Sequence, residues 1–218
     1  MPISQLHQLN EIMELILLTN PKSVLDVGVG FGKYGFLSRE YLELLDGRQK
    51  YNDWKRQIDG IEVFKDYLTP VHDFIYNHIY IGNALEIIPT IKTKYALVLL
   101  IDILEHLDYR EGIKLLNNCQ EVGSSILVST PKNIGFQNAS FGNPFETHKF
   151  QWRKKHFNQF EKRVFIPNDN SLICYIGENA LMIKKKLLNF RARIKRAFPF
   201  LKYIYQVAKR FLNMSPKI

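Results

Sequence analysis

The chain has 218 residues, 46% of them hydrophobic, with 30 Lys and Arg against 21 Asp and Glu and a formal charge of +9. That length holds one sizeable domain plus an appendage, and the composition is that of a globular protein. Two cysteines, Cys119 and Cys174, exclude a disulfide framework and a cysteine-rich metal site, and no apolar run approaches the ~18 residues of a membrane span.

Residues 1–22 lack a basic leader and carry only a short apolar run, which is not a signal-peptide pattern. Leu6, Leu9, Ile12, Met13, Ile16 and Leu17 fall on one helical face, which is expected to pack on a sheet. Both thiols are expected to be reduced and buried in a cytoplasmic protein.

The stretch Ser23 to Gly35, SVLDVGVGFGKYG, places four glycines directly after an apolar run. Val24, Leu25 and Val27 suit a buried parallel strand. Apolar residues at 34, 37, 41, 44 and 45 then follow helical spacing, ended by Asp46-Gly47. The stretch reads as strand, glycine turn, helix. A phosphate-binding loop of the G-x-x-x-x-G-K-[ST] type fails, because Tyr34 follows Lys33 and Val27 stands where the first glycine belongs. A dinucleotide fingerprint fits Gly30, Gly32 and Gly35, but Asp26 at the strand end would repel a pyrophosphate. S-adenosylmethionine has no phosphate and carries an ammonium and a sulfonium, which a carboxylate favours.

Strands and helices then alternate. Strand 2 is expected over 58–62, a helix weakened by Pro70 over 64–77, and strand 3 over 79–81. Strand 4 follows over 95–101, an amphipathic helix over 108–123 and strand 5 over 124–130. This order predicts an α/β, Rossmann-like, doubly wound and mostly parallel sheet. Residues 163–166 and 172–176 complete seven strands as an antiparallel pair. Residues 131–157, rich in Asn, Gly, Phe and His, form an inserted loop long enough to act as a lid.

In such sheets ligands bind beyond the carboxyl ends of the strands. Glu62, ending strand 2, can accept ribose hydroxyls, or is a solvated strand-end charge. Asn83, after strand 3, can bond an adenine edge, or is a turn residue. Strand 4 ends at Asp102-Ile103-Leu104-Glu105-His106.

This set resembles the class I S-adenosylmethionine-dependent methyltransferases. It is most similar to the group with Leu-Glu-His after strand 4, which includes ubiquinone-type and glycan-pathway enzymes. The resemblance covers about residues 22–130. It implies that Asp26, Gly28, Gly30, Gly32, Glu62, Asn83, Ala84, Asp102 and Ile103 hold the cofactor. The group usually has Asp where this chain has Asn83.

Methyl transfer to a hydroxyl benefits from a general base. His106 is the candidate, with Glu105 as alternative or orienting partner; otherwise His106 only bonds backbone at a helix start. In the loop, His148, Trp152 and His156 would share a face if helical, with Glu146 nearby. His148 and Trp152 are read as substrate contacts, with Trp152 stacking on a ring. No carboxylate–His spacing there is specific for a metal, and none is assigned.

Residues 184–218 hold eleven Lys and Arg and no acid, leaving 19 basic against 21 acidic residues in 1–183. The expected division is a methyltransferase domain over 1–183 and a basic amphipathic helical tail over 184–218. Its apolar stripes run through Leu187, Phe190 and Ile194, then past Pro199 through Leu201, Ile204, Ala208 and Phe211. Such a tail binds an anionic membrane surface, packs on a protein face, or grips RNA. The neutral body and the absence of an RNA module favour the membrane. The function expected is O-methylation of a small-molecule or glycan hydroxyl, such as a lipid-linked sugar, at the cytoplasmic face of the membrane. RNA methylation and a non-catalytic interaction module are the alternatives. Oligomeric state is not legible.

Overall fold

The structure is a computed structural model and describes residues 4–44, 50 and 53–187. In chain order its elements are α1 (Leu9–Thr19), β1 (Ser23–Val27), α2 (Lys33–Arg39), β2 (Gln57–Glu62), α3 (Pro70–Ile75) and β3 (His78–Ile81). Then come α4 (Ala84–Ile87), β4 (Leu97–Ile101), α5 (Tyr109–Val122), β5 (Ser125–Pro131), β6 (Arg163–Ile166), β7 (Ser171–Gly177) and α6 (Ala180–Leu187).

The strands form one seven-stranded sheet in the order β3-β2-β1-β4-β5-β7-β6. β1 to β5 are parallel, while β7 runs antiparallel to both β5 and β6. The expected doubly wound architecture is therefore present. Strand order reverses between β1 and β4, so the chain departs to opposite sides there and leaves a crevice. Successive strand residues point to opposite faces, so the sheet has a core on each side. Val24 and Leu99 join Ile12, Ile16 and Ile183 on one face. Leu25, Val98 and Leu100 join Leu115, Leu116, Trp152 and Phe157 on the other.

Several local expectations change. In α1 the buried face is Ile12, Met13, Leu15 and Ile16, whereas Leu6 is 74% and Leu17 43% exposed. The stripe that meets the sheet is thus turned by less than half a helical revolution from the expected one, with Leu15 inside and Leu17 outside. No single helix spans 64–77. A 3-10 turn at Lys65–Tyr67 is followed by α3, which begins at Pro70. A proline keeps its predecessor extended, and Thr69 at φ −133° caps α3 instead of continuing a helix.

The loop between β5 and β6 has only short helical turns, at Pro144–Glu146 and Lys154–Phe157. His148, Trp152 and His156 therefore do not share a helical face. The helix α6 crosses the expected division at 183/184, with Ile183 and Leu187 both buried. Residues 188–218, most of the basic tail, lie outside the described residues. Both cysteines are buried and unpaired, and burial pushes the Cys174 thiol up to about 12. No helix among the described residues is long and apolar enough to cross a membrane.

Candidate functional site

A cleft of about 340 Å³ opens at the β1/β4 crevice. Its wall begins with the glycine turn, whose amides are engaged within the protein. Gly28 and Val29 both donate to the Ile61 carbonyl at 2.8 and 3.1 Å, and Gly32 donates to Val29 at 2.8 Å. Gly30 donates to Glu62 Oε2 at 2.9 Å. Behind the turn, His72 Nδ1 accepts the Thr69 amide at 3.0 Å, so its Nε2 carries the proton donated to the Gly30 carbonyl at 2.9 Å. Gly28 has φ +73°, and a Cβ there would lie 2.2 Å from Ile103 Cδ1, so the turn requires glycine. Gly32, at φ +82°, starts α2 and stands just outside the lining of the cleft. Its role is to turn the chain.

Carboxylates dominate the cleft. Asp26, 3% exposed, accepts the Tyr76 hydroxyl at 2.7 Å. Burial pushes its carboxyl up to about 7, against the Tyr76 and Gly35 hydrogen bonds. Glu62 accepts the Gly30 and Phe64 amides, both at 2.9 Å, and burial raises it as well. Asp102, at φ +54°, follows β4. Its Oδ2 accepts Gln8 Nε2 at 2.6 Å and the Gln5 amide at 3.3 Å, while Oδ1 is buried without a partner. Burial pushes this carboxyl up to about 6, against Gln8, Gln5 and the Lys33 ammonium.

Residues 4–8 thus close one side of the cleft. Lys33 Nζ donates to the Ser4 carbonyl at 2.9 Å, and Gln8 also accepts the Ser129 hydroxyl. Asn83 and Ala84 line the far wall. The Asn83 Oδ1 caps α4 by accepting the Leu85 amide at 3.0 Å, which is the turn role left open for it.

Beyond Asp102, a 3-10 turn at Leu104–His106 places Glu105 and His106 on the same cleft. Glu105 is 1% exposed; burial lifts its carboxyl well above the ordinary range, with the Asp102 and Glu146 charges adding. Burial holds the His106 imidazole below its ordinary range, against the Glu146 charge. The loop brings His148 opposite, its ring centroid 5.1 Å from that of His106. Glu146 also lines the cleft and accepts the Tyr67 hydroxyl at 3.1 Å.

Trp152 does not meet this cleft. It is 1% exposed, and its indole donates to the Leu104 carbonyl at 2.8 Å. A large ring with one satisfied donor belongs in a core, so its assignment as a substrate platform is corrected. It anchors the loop beneath the site, edge-on to His156 at 5.7 Å. Sequence reasoning missed Gln8 and Tyr76, and placed Glu146 near the loop histidines without giving it a role. Gln8 carried a signal, as a polar residue inside an otherwise apolar helical stripe. Tyr76 and Glu146 meet their partners only through the tertiary fold.

No protein-family model matches the chain, and neither does any curated protein sequence. Solved structures do. The N-terminal domain of EvdMO1 with SAH bound aligns with a TM-score of 0.55 at 12% identity, over 80% of this chain and 82% of that one. An O-methyltransferase family protein from Burkholderia thailandensis aligns at 0.55 and 13% identity, over 78% of this chain and 55% of its own length. The methyltransferase domain of bacterial CtHen1-C aligns at 0.50 and 18%, over 79% of this chain and 98% of that one. The chain shares the Rossmann-like α/β fold of these methyltransferase structures.

Proposed function

We propose that the protein is an S-adenosylmethionine-dependent O-methyltransferase acting on a small-molecule or glycan hydroxyl. One observation carries the cofactor class. The amides of Gly28, Val29, Gly30 and Gly32, which would cradle a phosphate, are engaged inside the protein, one of them by the Glu62 carboxylate. The same cleft is lined by Asp26, Glu62, Asp102, Glu105 and Glu146. With five carboxyl groups against Lys33 and Lys149, the pocket favours a cation over a pyrophosphate. S-adenosylmethionine fits, being cationic and free of phosphate.

Asp26 and Asp102 would hold the amino-acid end, Glu62 the ribose, and Asn83 and Ala84 the base. Each Glu62 oxygen has a second lone pair beyond its backbone bond, enough for a vicinal diol. The bound cofactor supplies a sulfonium methyl group for transfer to an oxygen. Glu105, His106 and His148 would stand at the acceptor end, where a hydroxyl must lose its proton. The sugar reading is supported by the EvdMO1 domain, whose structure was also determined in the presence of SAH and D-fucose, with a TM-score of 0.54.

A membrane location rests on charge. Eleven cations without an acid in residues 184–218, at about 1 kcal/mol each near an anionic surface, suffice to hold the protein at the cytoplasmic face. Exposed Phe31 and Phe145 at the cleft mouth suit an amphiphilic acceptor.

Calorimetric titration with S-adenosylhomocysteine, with NAD as control, tests the cofactor assignment. Binding of the former alone is expected, weakened in Asp26→Ala. Binding of NAD, or of neither compound, would overturn it.

A further inference from the structure

We propose that Glu105, His106 and His148 form a binding site for a divalent transition-metal ion at the acceptor end of the cleft. The role given to the ion rests on the methyl-transfer reading above; the site itself does not.

The three side chains offer one carboxylate oxygen and two imidazole nitrogens, all within 4.8 Å of one another. Both imidazoles are oriented in the way a metal ligand is. His106 Nδ1 faces the Thr147 carbonyl at 3.3 Å, and His148 Nδ1 faces the Gly135 carbonyl at 3.4 Å. A carbonyl only accepts, so each Nδ1 carries the hydrogen and each Nε2 keeps its lone pair. Such backbone partners fix the tautomer and ring direction of metal-bound histidines. Glu105 Oε2 is buried with no hydrogen-bond partner. The Thr130 hydroxyl lies against this carboxyl without reaching hydrogen-bond geometry. A buried carboxylate oxygen left in that state is costly, and a cation answers it.

The site is held from both sides. Glu105 and His106 sit on the turn after β4. The loop carrying His148 is tied to that turn by the Lys149 and Phe150 amides, which donate to the Glu105 carbonyl at 2.7 and 3.2 Å. The Trp152 indole is bonded to Leu104 beneath it. A gap of 42 residues in sequence is thereby closed by direct bonds, and this is why no local ligand spacing announces the site.

Two imidazoles and one carboxylate select Mn2+, Fe2+, Co2+ or Zn2+ over Mg2+ and Ca2+, which prefer oxygen ligands throughout. Three protein ligands leave coordination positions open toward the cleft. An acceptor hydroxyl that coordinates there is acidified. Its proton leaves to solvent water, the oxygen bonds to the methyl carbon, and the carbon–sulfur bond breaks with its electron pair remaining on sulfur.

The full chain, stripped with a chelator, is titrated calorimetrically with MnCl2, CoCl2 and ZnCl2, and separately with S-adenosylhomocysteine. Binding of one ion per chain is expected. It should weaken about 100-fold or more in His148→Ala and Glu105→Gln and persist in His78→Ala, which changes an exposed histidine on β3. His148 is only half-buried, so His148→Ala is expected to fold and decides the matter if Glu105→Gln does not. Failure of all three ions to bind, or binding indifferent to His148→Ala, overturns the metal site. S-adenosylhomocysteine binding in that case leaves the methyltransferase reading standing. Metal binding without S-adenosylhomocysteine binding supports the site and removes that reading.

Discussion

The Glu62 carboxyl accepts the Gly30 amide at 2.9 Å, so an acidic side chain takes up an amide that a phosphate would otherwise use. Glu62→Gln keeps the volume and removes the charge. Hydrogen bonds to charged groups contribute about 1.5–3 kcal/mol, so affinity for S-adenosylhomocysteine is expected to fall roughly 10- to 100-fold. Calorimetry measures it. Unchanged affinity would mean that the ligand does not reach Glu62.

If Asp26 holds the ligand's ammonium group, binding should depend on pH. Its carboxyl is raised from 3.8 to about 7 by burial, so near neutrality it is divided between its two forms. An ammonium group prefers the ionised form. Affinity for S-adenosylhomocysteine should therefore rise as pH increases from 6 to 8, by up to about tenfold per pH unit below the midpoint. In Asp26→Asn the affinity should be weaker and flat.

The same raised pKa acts oppositely on the free protein. The Asp26 contribution to stability is fully present below pH 3.8 and is lost as pH rises through about 7. Asp26→Asn, which can still accept the Tyr76 hydroxyl, should gain in melting temperature relative to wild type between pH 4 and 8. A pH-independent difference between the two would show that the carboxyl is not raised.

Trp152 should behave as a core residue. Its ring packs against Gly112 of α5, where an added Cβ would lie 2.2 Å from Cζ2. Trp152→Ala is expected to cost about 3–5 kcal/mol, and Gly112→Ala about 1–3 kcal/mol through overpacking, both read from denaturant midpoints. A Trp152→Ala protein of native stability that fails only in acceptor affinity would restore the stacking role.

The apolar runs and glycine punctuation made the sheet legible, because buried parallel strands carry a continuous signal. Asp26, Gly28, Glu62 and Asp102 were also legible, since strand ends after such runs converge on one crevice. Trp152 was misread because aromatic content in a loop does not say which way a ring faces. Its burial follows from Gly112, forty residues earlier in the chain. The meeting of His148 with Glu105 and His106 was hidden for the same reason, being created by backbone bonds between distant segments.

Gln8 joins the start of the chain to the sheet, donating to Asp102 at 2.6 Å and accepting from Ser129. Gln8→Leu leaves the Asp102 carboxylate without its shortest hydrogen bond. A loss of about 2 kcal/mol in stability is expected, and Gln8→Glu should be worse, because it sets two acids side by side. Chemical denaturation at neutral pH distinguishes these outcomes from a neutral surface change.

The basic tail predicts a partition. The full chain should sediment with phosphatidylglycerol vesicles and not with phosphatidylcholine, and high salt should release it. A chain ending at Leu187, which keeps all of α6, should stay in solution. Equal sedimentation of both forms, or of neither, would remove the membrane assignment.

The chain leaves the sheet at Pro131 and returns at Arg163, and those two ends are set by β5 and β6, both hydrogen-bonded to or through β7. This excursion brings Gln137, Asn143, Phe145, Glu146, His148 and Lys149 to the cleft, while Asp26, Glu62 and Asp102 come from strand ends before it. The segment is therefore an exchangeable cassette. A chimera that replaces 132–162 with the matching loop of a methyltransferase of the same fold would test whether this segment sets ligand choice, provided the graft brings its own counterparts of Trp152 and Phe157 to refill the core beneath.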